Sequence, residues 1–493
     1  MSTLHGQLNP WSSEDLEQIH QASLSILEKT GVQVHSEKIL DILESSDAQV
    51  DRDSRVVRFL PDMVDDRMRN APGSQDRNPR KAGEFTVGVD ASRAWIWDYA
   101  NHRPRPTVAR DLLDVPRVVE AMPNFGEAGA SVFVDDIPAS MRDMILCRHQ
   151  WNHSQKQGGG GLGRSPGSVL GLSPKAYDYL YEMLAVKLGG VDKVAAKPQL
   201  SFFMGIASPL RWGQDVLEMA LHVVNRGQLV GIGGNCISGI QSPITPAANI
   251  ALDHAERLSG MCIVTSMRAD AAFYFCNHTY ALDMCSGNVA VGAPSHTLQA
   301  LLGEKLLQHC GFHLMANHPI MDVGGPSPDA QITAEKMMYM LLTALGGSKG
   351  IGGAGHLNET FCYEQLIIDN DIAGYVKQLI KGADINEETI ALETIHEYGI
   401  GGNFLDSEPT LKFMRDCYYP PELFYRKRRS EWLREGSKEL FVRAHEKLEE
   451  ILASDTPTFL SDEQLSSMDK IILEACCELA PDWDPKPYLK ISV

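Results

Sequence analysis

Trp95, Trp97 and Tyr99 alternate along AWIWDY, so an extended backbone places their three rings on one face. Phe273 and Phe275 alternate in the same way, and Phe361 and Tyr363 follow a later apolar stretch. Rings gathered around a cleft hold quaternary ammonium ions by cation–π attraction, worth about 0.5–2 kcal/mol per ring. The same alternation also describes half-buried sheet residues. His356 and Glu359 lie just past a short apolar run at 349–353, and Asn277 just past another at 271–276. An imidazole in such a place can donate to a substrate carboxylate, while Asn277 and Glu359 can orient the bound molecule.

Other chemistries find less support. Gly158–Gly163 and Gly350–Gly355 both fit G-x-G-x-x-G. The first follows a helix and the second has no further strand after its helix, so neither sits in the βαβ unit that dinucleotide binding needs. His309, Cys310 and His313 are close in sequence but fall at a helix end, with no HExxH and no paired CxxC, and no metal is expected. No serine or cysteine is marked by its context as a nucleophile. Asp135 and Asp136 follow an apolar run, but neighbours on an extended chain point opposite ways and do not form an acid/base pair.

The elements that must position these residues come in a regular rhythm. Residues 12–30 read as an amphipathic helix capped by Ser12 or Ser13 and stopped by Gly31, and 37–44 as a second helix. From about residue 110, apolar runs at 128–134, 199–206, 229–233, 271–276, 319–323 and 349–353 alternate with helical stretches. That alternation predicts a parallel α/β sheet, and its seven or eight units over about 270 residues suit a closed (β/α)₈ TIM-type barrel better than an open sheet. The expected division is an α+β extension at 1–108, the barrel at 109–383 and a helical tail at 384–493. In a barrel the working groups follow the strands. Gly234 and Asn235, and Gly324 and Gly325, are therefore places where a large cofactor can approach the backbone.

Composition narrows the setting. Of 493 residues, 43% are hydrophobic and 22% charged, as in ordinary globular chains. No run approaches the roughly 20 apolar residues of a membrane span, and residues 1–11 lack a secretory pattern. Ten cysteines without CxxC pairs suit a reducing cytoplasm. A formal charge of -19 repels nucleic acid and favours cationic ligands or partners.

Several stretches resemble one family. The opening LEQIHQASLSILEKTGVQVH, ASPLRW at 207–212, SGNVAVGAPSHTLQALLGEKLLQHCGFHL ending at 314, PDAQ at 328–331 and GHLNETFCYEQLIIDNDI at 355–372 are similar to the trimethylamine methyltransferase superfamily, in its branch without pyrrolysine. The resemblance implies a barrel that passes a methyl group to the cobalt of a cognate corrinoid protein. In trimethylamine members pyrrolysine falls near PDAQ, where this chain has only standard residues. Nor does the chain carry the D-x-H-x-x-G cobalamin signature, so the corrinoid is expected on a partner protein. Its substrate is then expected to be a quaternary amine, glycine betaine first, with carnitine, proline betaine or choline as alternatives. A quaternary nitrogen already leaves as a neutral amine, so the site needs positioning and desolvation rather than a general acid. Trp95, Trp97, Tyr99, Phe275 and Tyr363 are the expected cation cage, and His356 the carboxylate donor. A non-catalytic betaine-binding protein is the reading from another class. Self-association of the chain is also compatible with its long apolar helices and its tail.

Overall fold

The computed structural model describes residues 3–71, 84–89, 93–129, 132–156, 160–162, 173–196, 198–312, 319–455 and 457–491. Gly158, Gly159, Gly163 and His313 of the sequence analysis lie outside them.

The opening helix, Ser13–Ser25, starts where the sequence places it. The Ser12 hydroxyl accepts from the Asp15 N–H (3.1 Å), and the Asp15 carboxylate accepts from the Ser12 N–H (2.9 Å), satisfying donors that a helix start leaves open. The chain continues through one wider turn, Ile26–Thr30, and Gly31 ends it at a φ of 76°.

The architecture is mixed α/β, with two larger parallel strand sets beside shorter parallel pairs such as Thr360–Phe361 with Trp95–Asp98. In the first, Gly160–Leu162, Leu200–Ile206, Leu229–Gly234 and Phe273–Phe275 pair side by side in chain order. In the second, Thr86–Val89 lies between Phe125–Ala128 and Gly350–Ile351, and a parallel bridge joins Ile320 to Gly352. Thr86–Val89 thus lies before residue 108 yet pairs with two strands from beyond it. The strand expected at 128–134 is found earlier, at Phe125–Ala128. Beyond it the chain turns at 135–136, leaving Val132 and Phe133 buried without a strand ladder.

Helices follow the strands and cover one face of them. The helix Pro246–Met267 packs so closely that a Cβ on Gly260 would lie 2.4 Å from Ile232 Cγ2. The C-terminal helices also pack on the core, Leu440–Ala453 against Tyr363–Lys381 and Asp462–Leu479 against Pro174–Leu188. No helix among the described residues is long and apolar enough to cross a membrane.

Candidate active site

Alternation along the first strand set separates two faces. Phe202, Met204, Val230, Ile232, Phe273 and Phe275 are buried against helices. The opposite face carries Phe203, Gly205, Gly231, Gly233 and Tyr274, of which Phe203, Gly205 and Tyr274 are partly exposed. Register makes Gly231 the partner of Phe203 on one side and Tyr274 on the other. The Tyr274 ring folds over this gap: a Cβ on Gly231 would lie 2.6 Å from its Cζ and 2.7 Å from its Oη. Phe203 covers Gly205 in the same way, with Cε1 3.0 Å from where a Cβ would stand. His278, just past the last of these strands, has its ring 6.0 Å from that of Phe203. The glycines give the rings room to lie across the sheet.

A polar group stands at the carboxyl ends of other strands. Asp322 Oδ1 accepts from Arg93 Nη2 (3.0 Å), and Asp322 Oδ2 accepts from the Tyr280 hydroxyl (2.6 Å). Arg93 follows Thr86–Val89, Tyr280 follows Phe273–Phe275, and Asp322 follows the Ile320 bridge, so three connections meet here. Burial and Asp322 hold the Tyr280 phenol well above its ordinary pKa, keeping it a donor. His296 stacks on Tyr280 (ring centres 4.9 Å apart) and tilts against Tyr339 (5.0 Å). Burial lowers His296 to about 4, so at neutral pH it is an uncharged ring. Among the described residues, Arg93 Nε is buried and has no hydrogen-bond partner.

A recess of about 550 Å³ opens between the backbone of 282–293 and Glu335. Glu335 accepts from Gly324 N–H (2.8 Å) and from Gln331 Nε2 (2.8 Å), fixing the rim. Both walls lie at helix starts, before Pro294–His309 and within Ala330–Gly346, which places the recess at the carboxyl ends of the strands.

The residues picked from sequence do not gather into one cage. Trp95 is exposed on the strand Trp95–Asp98, while Trp97 packs on Val323, Ile332, Leu357 and Cys362. Tyr99 stacks on His445 at 3.5 Å, against the helix Leu440–Ala453. Phe275 is fully buried and meets Phe273 and Phe312 edge-on, because it points to the helices. Tyr363 is buried and donates to Asp111 Oδ1 (3.0 Å). Asn277 is buried and donates to the Ala300 carbonyl (3.1 Å). His356 has no exposed surface and lies edge-on to Phe361, and Glu359 is exposed on the turn that follows. Gly234 is filled by its neighbours, with Ile206 Cγ2 2.6 Å from a would-be Cβ, while Asn235 beside it is exposed. Gly324 borders the recess, and Gly325 packs 2.5 Å from Ile332 Cδ1 by the same measure.

Sequence reasoning missed Phe203, Tyr274, Tyr280 and Arg93. The available signal was the pairing of glycine-alternating LVGIGG with aromatic neighbours, which marks a face where rings need space. It also passed over Gly163-Arg164-Ser165-Pro166-Gly167, which does fit G-x-S-x-G. An elbow nucleophile draws oxyanion stabilisation from the next residue's N–H, and Pro166 has none. That segment lies outside the described residues.

Comparison with known proteins adds the lineage. The chain is 28% identical over 487 residues to a trimethylamine methyltransferase of Desulfitobacterium hafniense, covering 94% of this chain and 93% of that protein. It is 27% identical to one from Methanosarcina barkeri, covering 95% of each. A glycine betaine methyltransferase of Desulfitobacterium hafniense strain Y51 is 25% identical, covering 94% of this chain and 96% of that one. The crystal structure of the Methanosarcina barkeri monomethylamine methyltransferase aligns over 97% of this chain and 89% of that chain, with 10% identity and a TM-score of 0.49. The family model for trimethylamine methyltransferase (MTTB) matches residues 2–475, and the chain belongs to that family.

Proposed function

We propose that this chain is a cytoplasmic methyltransferase that moves one methyl group from glycine betaine to the corrinoid of a separate protein. We also propose that its two parallel strand sets close into a (β/α)₈ barrel, with the reaction at the carboxyl ends of the strands. One observation carries the reading: Phe203 and Tyr274 flank Gly231 on the partly exposed face, and Arg93 keeps an unmet Nε donor past a strand end. Similarity to a glycine betaine methyltransferase supports the same substrate.

A trimethylammonium group offers no N–H, so hydrogen bonds cannot select it. Ring faces can, and Phe203, Tyr274 and Tyr280 supply the rings here. Arg93 takes the substrate carboxylate through Nε, while its Nη2 stays on Asp322, which fixes the guanidinium plane. Glycines 205, 231 and 233 let the substrate lie close to the backbone, and the rings displace water from the reacting methyl. When bound, the corrinoid supplies a cobalt(I) electron pair that accepts the methyl. The N–CH₃ bond would break with its pair left on nitrogen, so dimethylglycine would leave as a tertiary amine without needing a proton. The recess beside Glu335, walled largely by the backbone of 282–293, fits the edge of a large flat macrocycle, with Met284 and Val289 as exposed apolar contacts.

Incubating the enzyme with cob(I)alamin and glycine betaine, carnitine, choline or trimethylamine tests the proposal. Dimethylglycine and methylated cobalamin should form fastest from glycine betaine. Faster turnover of choline would remove the role of Arg93. Tight betaine binding without methyl transfer would make the chain a binding protein.

A further inference from the structure

Cys310 was set aside in the sequence because its neighbours His309 and His313 have no metal-binding spacing. The fold brings it two other histidines instead. His20 comes from the first helix, Ser13–Ser25, and His254 from the helix Pro246–Met267, while Cys310 caps the end of Pro294–His309. His20 Nδ1 lies 3.2 Å from His254 Nε2, and Cys310 Sγ lies 3.6 Å from the first and 3.7 Å from the second. The three ligand atoms form a nearly closed triangle from three segments separated by 234 and 56 residues in sequence.

We propose that His20, His254 and Cys310 bind one zinc ion, which clamps the N-terminal helix to the two core helices. Zinc bonds of about 2.0–2.1 Å to nitrogen and 2.3 Å to sulfur, set at tetrahedral angles, require edges of about 3.3 Å between nitrogens and 3.5 Å between nitrogen and sulfur. The observed edges match each within about 0.2 Å, the tolerance expected of a real site. The two imidazole planes are inclined by 59° and do not stack. Two imidazoles and a thiolate are the ligand mix that selects zinc over calcium or magnesium.

The surroundings suit the ion. His254 is fully buried and His20 nearly so. His20 Nε2 lies 3.9 Å from Asp65 Oδ1, close enough for charge attraction but too far for a hydrogen bond. The thiolate is the ligand, so zinc binding would displace the Cys310 thiol proton to solvent. Among the described residues the site offers three ligands, of which only Cys310 is partly exposed. Helices that follow parallel strands run back from the carboxyl ends, so the C-terminus of Pro294–His309 lies away from the candidate active site. The proposed ion therefore lies apart from the candidate active site and joins three helical segments.

The test uses the full chain, stripped with a chelator and titrated with cobalt(II) and then zinc. One cobalt per chain should bind, with a sulfur-to-cobalt charge-transfer band and the visible bands of tetrahedral cobalt, and zinc should displace it and raise Tm. Cys310→Ser should lose the charge-transfer band, while Cys477→Ser, at an exposed thiol, should keep it. If the wild-type chain takes up no stoichiometric cobalt, or if the band survives Cys310→Ser, the clamp is wrong.

Discussion

At the scale of single residues, the proposed site divides the substrate between two side chains. Arg93→Gln removes a charge-assisted donor worth about 1.5–3 kcal/mol, so the apparent KM for glycine betaine should rise about 10–100-fold. Choline has no carboxylate, and its KM should stay within about twofold. Equal losses on both substrates would show that Arg93 only holds Asp322 in place. Tyr274→Ala should raise KM for both by about 2–30-fold, the loss of one ring's cation–π attraction, while Tyr274→Phe should be close to wild type. The sequence pointed to aromatics, but to the neighbour of the right one. Phe273, Tyr274 and Phe275 are consecutive, and a strand buried on both faces reads as one apolar run, so alternation alone does not tell which ring faces helices. The same limit hid Arg93, whose meaning depends on Asp322, 229 residues away.

At the scale of elements, the central strand Leu229–Gly234 and the helix behind it carry the site. Gly231→Ala places a methyl against the Tyr274 ring and should raise KM about as much as Tyr274→Ala. Combined with Tyr274→Ala it should add little, because both changes act through one ring. Full additivity would mean that Gly231 matters for another reason. Behind the strands, Glu256 on Pro246–Met267 accepts from Ser208 Oγ (2.7 Å) and Leu210 N–H (2.8 Å), tying this helix to the loop after Leu200–Ile206. Burial raises its carboxyl from 4.5 to about 7 despite those bonds. The native state therefore keeps a proton that the unfolded chain loses between these values. Its stabilising effect is complete below pH 4.5 and is lost as pH rises through 7. Glu256→Gln should melt near wild type at about pH 5 and gain on it at about pH 8, by up to roughly 3 kcal/mol. A constant gap across that range would contradict a buried, titrating Glu256. Helices were the most legible elements: the capped start at Ser12 and the second helix at 37–44 fell where expected. Strands were less so, since Thr86–Val89 and Phe125–Ala128 are four residues each and are defined by pairing with distant partners rather than by their own pattern.

At the scale of the molecule, the α/β alternation was readable because each strand–helix unit repeats the same change of period, from two to 3.6. The order in which strands pair was not, because the second set is completed by a strand from the N-terminal side. The site then assembles from connections scattered between residues 93 and 335, so that no short motif could announce it. What unites them chemically is a substrate whose methyl leaves without acid catalysis. A single-turnover pH profile of methyl transfer from saturating glycine betaine to cob(I)alamin tests this most directly. The rate should be flat between about pH 6 and 9. A tenfold fall per pH unit above a single pKa would reveal a required proton donor and overturn the account.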